Sequence, residues 1–329
     1  MDIPQLTDLL SQPRAYAALF TEADRLREAV FGGTVHIRGI IEFSNVCKNN
    51  CHYCGIRRDN TSVTRYRMTA DEIVETAVTA RQLGCGTVVL QSGEAPSFTA
   101  SELSALIRRI KYETGLAVTL SVGVRTRDEL AELKAAGCDR YLLRFETSSE
   151  KIFRTIHPPD GTFVERVACL NDLRELGYQV GSGFMIGLPD APLEQIAQDI
   201  LFATELKLQM IGCGPFLAHP GTPLAGAPLL ENRETYYATM ALLRILNPHA
   251  HIPATTAFDA LEPGGRDRVM RCGANIFMPN ITPAKYRSLY QLYPNKPGVD
   301  EEGDTSFRRV RERLTALGRT ISTEAGHAI

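Results

Sequence analysis

The chain has 329 residues, 44% hydrophobic and 22% charged, with a formal net charge of -2 and a pI near 6.4. That balance excludes a nucleic-acid surface, which carries a basic excess, and no run approaches the roughly 18 apolar residues that a membrane helix needs. The opening MDIPQLTDLL lacks a charged-then-apolar leader, so no signal peptide is expected, and eight cysteines without framework spacing suit a reducing cytoplasmic setting.

Residues 1–33 read as an N-terminal helical extension. From residue 34 short β-rich runs alternate with longer amphipathic ones, beginning with VHIRGIIEFS (35–44). Directly after it comes CKNNCHYC, which spaces Cys47, Cys51 and Cys54 as CxxxCxxC with Tyr53 before the last. Three thiols in so short a loop form a tripod around one face of an iron–sulfur cube. Such clusters normally take four thiolates, so one iron remains open to a small molecule. Zinc wants four ligands from paired units, no second pair follows, and His52 in so tight a loop points away. The spacing resembles the radical S-adenosylmethionine (SAM) superfamily. That resemblance implies an open iron that chelates SAM and an electron that cleaves it to a 5′-deoxyadenosyl radical.

Further along, TADEIVETAVTARQLG opens on Thr69 as an N-cap and closes on Gly84. TRDELAELKAAG and FVERVACLNDLRELG repeat this grammar up to Gly137 and Gly177. Between such helices lie TVVLQSG (87–93), AVTLSVG (117–123), RYLLRFE (140–146), QVGSGFMIG (179–187), MIGCGPFL (210–217), HIPATTA (251–257) and ANIFMPN (274–280). Eight strand–helix units in series predict an α/β fold, a complete (β/α)8 TIM-type barrel over 34–297. A charged helix at 307–318 then lies within a trailing segment, 298–329. Active sites of such barrels lie at the carboxyl ends of the strands. The cysteine loop falls there, with Ser92, Gly93 and Glu94 after the second strand, Ser121 and Gly123 after the third, and Glu146 ending the fourth.

On that fourth strand Arg140, Leu142, Arg144 and Glu146 share one face and Tyr141, Leu143 and Phe145 the other. The apolar set suits the helices, which sends the charges into the lumen. Buried charges need partners or solvent, so a wet ligand cavity is expected there; the plainer alternative is a single Arg–Glu tie between layers. Thr255 and Thr256, and the small Gly181, Ser182 and Gly183, favour the cavity, and Met185 suits either packing or a nucleoside pocket. Cys85, Cys138, Cys169, Cys213 and Cys272 stand alone among apolar or small residues and read as structural thiols.

GIIEFSNVCKNNCHYCGIRRDN, LQSGE, RYLLRFET, GFMIGLP, GPFLAHPGTPLA, IPATTA and YRSLYQLYPNKP together resemble the HydE family of FeFe-hydrogenase maturases, in the biotin synthase–like branch of radical SAM enzymes. The cysteine motif alone says radical SAM; IPATTA with YRSLYQLYP narrows it. The resemblance implies that Cys47, Cys51 and Cys54 hold one 4Fe–4S cluster and that the backbone near Tyr53 lies by the adenine. It assigns Gln91, Ser92, Gly93 and Glu94 to the methionine amino group and Glu146 and Arg166 to the ribose and carboxylate. Ser121 and Met185 join that pocket. Arg140, Arg144, Thr255, Thr256, Met278 and Tyr290 match positions lining a deep substrate cavity, with Arg38 and Tyr293 as further candidates, whereas His219 fits a structural hydrogen bond equally. Some members carry a second cluster after YQLYP; KPGVDEEGDTSFRR has no cysteine, so none is expected here.

The implied activity is a radical SAM step on a small organometallic iron species bearing cysteine, carbon monoxide and cyanide, in assembly of the hydrogenase H-cluster. Implied partners are the sister maturases, HydG among them, and a flavodoxin or ferredoxin electron donor, with no nucleic acid and no membrane. One alternative is a paralogue acting on another small thiol or amino acid. A non-catalytic metal-complex carrier is another, but a scaffold has no use for a whole SAM pocket.

Overall fold

The computed structural model describes residues 1–95, 98–157, 162–299, 301 and 303–328. Its strands in chain order are β1 (Thr34–Ser44), β2 (Thr87–Ser92), β3 (Ala117–Ser121), β4 (Arg140–Leu142), β5 (Gln179–Ser182), β6 (Met185–Ile186), β7 (Met210–Ile211), β8 (Gly214–Pro215), β9 (Pro253–Ala254), β10 (Ile276–Phe277) and β11 (Thr320–Ser322). Eight of them line up as β7-β5-β4-β3-β2-β1-β10-β9, all pairs parallel. The seam between β7 and β9 is bridged at Met210–His251, where Ile211 N donates to His251 O and His251 N to Gln209 O, both at 2.9 Å. A nearly closed parallel barrel results, the architecture that the strand count predicts. Past β5 and β7 the chain pairs again as β6 with β8.

Threonine caps set where each crossover helix begins, and so how much loop is left at the barrel mouth. Thr69, Thr99, Thr126 and Thr162 each accept from the third helical N–H, while Glu72, Glu102, Glu129 and Glu165 reach back to the cap. Each such box is worth about 1 kcal/mol. Helix Ala70–Leu83 ends on Gly84 in the left-handed conformation, as its sequence predicts. One continuous apolar core joins the barrel's outer face to Leu6, Leu10 and Tyr16 of the leading helices and to Phe307, Val310 and Leu314 of the trailing one. The five isolated cysteines are buried free thiols. Among the described residues no helix is long and apolar enough to cross a membrane.

Several elements differ from expectation. Regular pairing in β4 stops at Leu142 rather than 146, because the mouth widens and Phe145 N turns to the Ser182 hydroxyl at 3.1 Å. The trailing helix spans Gly303–Ala316 and leads into β11, which pairs in parallel with β1. Of the trailing segment, residues 300, 302 and 329 lie outside the described residues.

After β11 the chain crosses the amino end of the barrel. Arg140 donates to Ala325 O at 2.8 Å, Gly326 O at 2.9 Å, Thr87 Oγ1 at 3.0 Å and Gln179 Oε1 at 3.1 Å, and Arg38 donates to Gly326 O at 3.1 Å. This corrects the expectation that Arg140 lines the same cavity as Arg144. Both point inward, but four residues of strand separate them by about 13 Å, and alternation reports a face, not a height. Burial pushes the Arg140 pKa down to about 10, so it remains charged at neutral pH and needs those carbonyls.

Ending the chain at Ser322 removes the carbonyls that satisfy both arginines. Unmet buried donors cost about 1–3 kcal/mol each, so the truncated protein is expected to melt at least 5 °C lower in thermal circular dichroism. An unchanged midpoint would show that the tail bears no structural role.

Candidate functional site

The cysteine loop has no regular structure, and side chains tie its backbone down. Asn45 donates to Thr64 O and Leu289 O, both at 2.8 Å, and accepts from Tyr66 N at 2.8 Å. The Arg65 guanidinium spans Asn45 O, Ile56 O and Arg57 O at 2.6–2.8 Å. Gly93 abuts this loop so closely that a Cβ there would lie 2.4 Å from Val46 O and 2.8 Å from the Cys47 Cβ. The loop therefore has one shape, with Cys47, Cys51 and Cys54 half-buried as free thiols. Burial pushes all three thiols up, Cys51 to about 12, and neighbouring sulfurs raise Cys51 and Cys54 further. Thiols this hard to ionise bind as thiolates only to a strongly cationic centre, which reverses the penalty. Among the described residues no three His, Cys, Asp or Glu side chains are placed to share one metal ion. Three thiols on one short loop are a donor set that would suit an iron–sulfur cluster.

Beside the cysteines stand Glu94, Arg166, Arg144 and Glu146. Glu94 is 3.3 Å from Lys48 Nζ and 3.7 Å from Arg166 Nη2, and its side chain lies across Gly123, where any Cβ would come within 2.4 Å of the carboxylate. Arg166 donates to Arg144 O at 3.1 Å. Arg144 Nη2 sits 3.1 Å from Glu146 Oε2, at ion-pair distance yet without hydrogen-bond alignment. Thus Arg144 Nε and Nη2, Glu146 Oε2 and Arg166 Nε are buried with no hydrogen-bond partner. Native interiors leave only a few such atoms per hundred residues, and here four fall on three neighbouring side chains. Donors and an acceptor clustered in this way suit a ligand that carries both kinds of group, as the amino-acid end and ribose of SAM do.

The other expected pocket residues divide. Gln91 pairs in register with Ser121 and donates to Tyr290 Oη at 3.3 Å. Ser92 hydrogen-bonds Gly93 O at 2.7 Å. Met185 belongs to a small apolar cluster apart from the main core, with Ile156, Leu188 and Phe216, and Tyr53 packs on it. His219 accepts from Gly221 N at 3.0 Å, and its own N–H bonds Tyr53 O at 3.1 Å, so it shapes the loop after β8. Past the ends of β9 and β10 Thr256 Oγ1 lies 2.5 Å from Tyr293 Oη, Thr255 donates to Cys213 O at 3.0 Å, and Met278 is half-buried with its carbonyl held by Arg266 at 3.1 Å. A cleft of about 490 Å³ opens beside Glu94, lined also by Lys48, Val122, Arg125 and Glu165. Arg140 and Arg38 are at the other end of the barrel.

Sequence reasoning missed Glu42 and Lys296. Lys296 Nζ lies 2.5 Å from Glu42 Oε1 and 2.7 Å from Tyr290 O, and Asn280 donates to Glu42 Oε2 at 2.8 Å. The ammonium also sits 5.0 Å over the Tyr290 ring. Burial lowers the Lys296 pKa and Glu42 opposes it. This pair fixes the backbone of Tyr290 and hence the hydroxyl that meets Gln91. The available signal was an acid inside the apolar run Ile40, Ile41, Phe43, but its partner is 254 residues away.

Comparison with known proteins bears on the family and the fold. Residues 41–203 match the Radical SAM superfamily. The chain is 48% identical over 312 residues to the [FeFe] hydrogenase maturase subunit HydE of Thermotoga maritima, covering 94% of this chain and 88% of that one. It superimposes on the crystal structure of methylornithine synthase (PylB) with a TM-score of 0.85 at 26% identity, covering 98% and 94% of the two chains. The FeFe-hydrogenase maturase HydG from Carboxydothermus hydrogenoformans gives the same TM-score at 23% identity, covering 98% and 76%, which speaks to the fold alone.

Lys296→Met leaves Glu42 buried without its cation, and is expected to cost about 3–5 kcal/mol in chemical denaturation. The double variant Lys296→Met/Glu42→Leu is expected to recover most of that loss. Equal stability of the single variant and wild type would remove the pair from any supporting role.

Proposed function

We infer the chemistry of this site from a plain premise: the chain belongs to the HydE family of [FeFe]-hydrogenase maturases, within the radical SAM superfamily. It is an enzyme, and its work is the maturation of the FeFe-hydrogenase active site. In our reading Cys47, Cys51 and Cys54 hold a single 4Fe–4S cluster, with SAM beside it. Bound there, the two supply one-electron cleavage of the sulfonium to methionine and a 5′-deoxyadenosyl radical. Everything else is positioning by the protein.

Glu94, backed by Lys48 and Arg166, accepts the methionine ammonium, and Arg166 has a free Nε for the carboxylate. Glu146 offers its unmet Oε2 to the ribose hydroxyls. Met185, Tyr53 and Phe216 form an apolar wall for the adenosine. Gln91, Ser92, Gly93 and Ser121 line the same side. Toward the lumen, Arg144, Tyr290 and Thr256 present donors, with Thr255 beside them as an acceptor, its own proton on Cys213 O, and Met278 as an apolar neighbour. That donor set suits a small anionic iron complex whose cyanide and carboxylate groups accept hydrogen bonds, the substrate class we propose. Delivery of that complex by a sister maturase, reduction by a flavodoxin or ferredoxin, and a cytoplasmic setting belong to the same reading. The observation that carries it is the cluster of unsatisfied Arg144, Glu146 and Arg166 atoms next to three half-buried thiols.

Cys51→Ala is expected to lose the 4Fe–4S absorption after anaerobic reconstitution and, with it, SAM cleavage. Arg144→Leu is expected to retain slow SAM cleavage without substrate but to bind a cysteine–iron dicarbonyl cyanide complex about 10- to 100-fold more weakly, the size of a lost charged hydrogen bond. Normal iron content in the first variant, or an unchanged binding isotherm in the second, would overturn the respective assignment. If that complex leaves wild-type turnover unchanged while a free amino acid accelerates it, the protein is a paralogue of another substrate class.

A further inference from the structure

Glu146 is one of four non-glycine residues with positive φ among the described residues, at 68°. Such backbone strain, of order 1–3 kcal/mol, persists only where neighbours enforce it. Glu146 N donates to Gly183 O and Glu146 O accepts from Met185 N, both at 3.0 Å. The next residues, Thr147 to Ser149, turn directly into helix Glu150–Ile156. That turn is gripped by Asp199 of helix Leu193–Glu205. Asp199 Oδ1 accepts from Ser148 N at 2.6 Å, Ser148 Oγ at 2.7 Å, Gln195 Nε2 at 2.9 Å and Thr147 Oγ1 at 3.3 Å. The carboxylate is 2% exposed and has no ion pair among the described residues. Burial pushes its pKa up to about 6 despite those bonds, so its charge is a burden on the fold.

The far end of the same helix is fastened to the cysteine loop. His52 N donates to Ile156 O at 2.9 Å. His157, next in the chain, stacks on Phe153 with ring centroids 4.0 Å apart and places Nδ1 3.2 Å from Phe153 O. A carbonyl only accepts, so Nδ1 carries the proton and Nε2 accepts from the Tyr53 hydroxyl at 2.9 Å. Burial, aided by Arg166, lowers the His157 pKa to about 3, which keeps the ring neutral and this tautomer fixed. His52 and Tyr53 are the two residues between Cys51 and Cys54.

A rigid rod of about 10 Å, seven residues at 1.5 Å each, therefore joins Glu146 to the loop that carries the thiols. We propose that Asp199 and His157 are positioning residues: they clamp the two ends of helix Glu150–Ile156 so that it sets the separation between Glu146 and the cysteine loop, and hence the span of the SAM pocket. The proposal rests on the reading of Glu146 and the cysteines given above. Neither residue touches the ligand; each acts through a neighbour.

The test measures SAM affinity anaerobically on cluster-loaded protein, alongside iron per chain and thermal midpoint. Asp199→Leu and His157→Phe are each expected to weaken SAM binding about three- to tenfold with iron content unchanged. Asp199→Asn, which keeps the Oδ1 acceptor, is expected to restore wild-type affinity. Tyr53→Phe is expected to match His157→Phe, and the double variant to be no worse than either, because both remove one bond. Should Asp199→Leu or His157→Phe fail to fold, Tyr53→Phe against Asp199→Asn decides: loss in the first only supports the strut, and equal affinities overturn it. Wild-type affinity in every variant overturns the strut alone. A wild-type protein that takes up iron yet binds no SAM overturns the cofactor reading, and the strut with it.

Discussion

A charge inside a barrel must find a partner, and this barrel meets that demand differently at its two ends. At the amino end Arg140 is answered by the tail carbonyls of Ala325 and Gly326, and Arg38 by Gly326 O, although Arg38 Nε and His36 Nδ1 stay unmet there. At the carboxyl end Arg144, Glu146 and Arg166 lie within reach of one another but leave four polar atoms unmet. Leaving a buried polar group unmet costs more than a made bond returns, and four of the unmet atoms among the described residues gather on these three side chains. That concentration lies at the end of the barrel where the cysteines are.

Support around that end is continuous. The Gly93 contact and Arg65 set the loop's shape, Lys296 and Glu42 hold Tyr290, and the helix after Glu146 spans from the strained turn to Tyr53. None of these groups does chemistry. A radical step needs reacting atoms held near contact distance, and small misplacements are expensive. A surrounding shell of satisfied bonds is therefore as much a part of the site as the groups that face the ligand.

Legibility in the sequence followed the range of the interaction. The thiol spacing, the threonine caps and the strand count depend on residues a few positions apart, and each was readable. The inward face of the fourth strand was readable too, since alternation is a local property. What alternation omits is height, which is why Arg140 and Arg144 looked equivalent although one meets the tail and the other sits beside Glu146 at the carboxyl end. The tail itself left no signal because its acceptors are main-chain carbonyls, identical in every residue. Glu42 with Lys296, and Asp199 with Ser148, join distant segments, and although an acid in an apolar run marks Glu42, nothing local names either partner. Strand ends were overestimated where the mouth widens and side chains such as Ser182 replace ladder partners.

The segment that carries Tyr290 and Tyr293 runs beside the cysteine loop, where Gly55 N donates to Leu292 O at 2.9 Å. Burial raises the Tyr290 pKa well above the usual phenol range and pushes Tyr293 up to about 12, so both hydroxyls stay protonated at any physiological pH. With Thr256, which shares a hydrogen bond with Tyr293, they form a neutral set of hydroxyls that can turn to meet an acceptor. The net field in the upper lumen is then set largely by Arg144 and Glu146, 3.1 Å apart on one strand face. An anion that engages Arg144 relieves its hold on Glu146, and a ligand on Glu146 frees Arg144 in turn. Linkage makes such an effect reciprocal: were SAM to bind at Glu146 and substrate at Arg144 as proposed, each would alter the affinity for the other by the same factor. Such a pair would couple the two sites, and a barrel lined only with aliphatic groups would lack it.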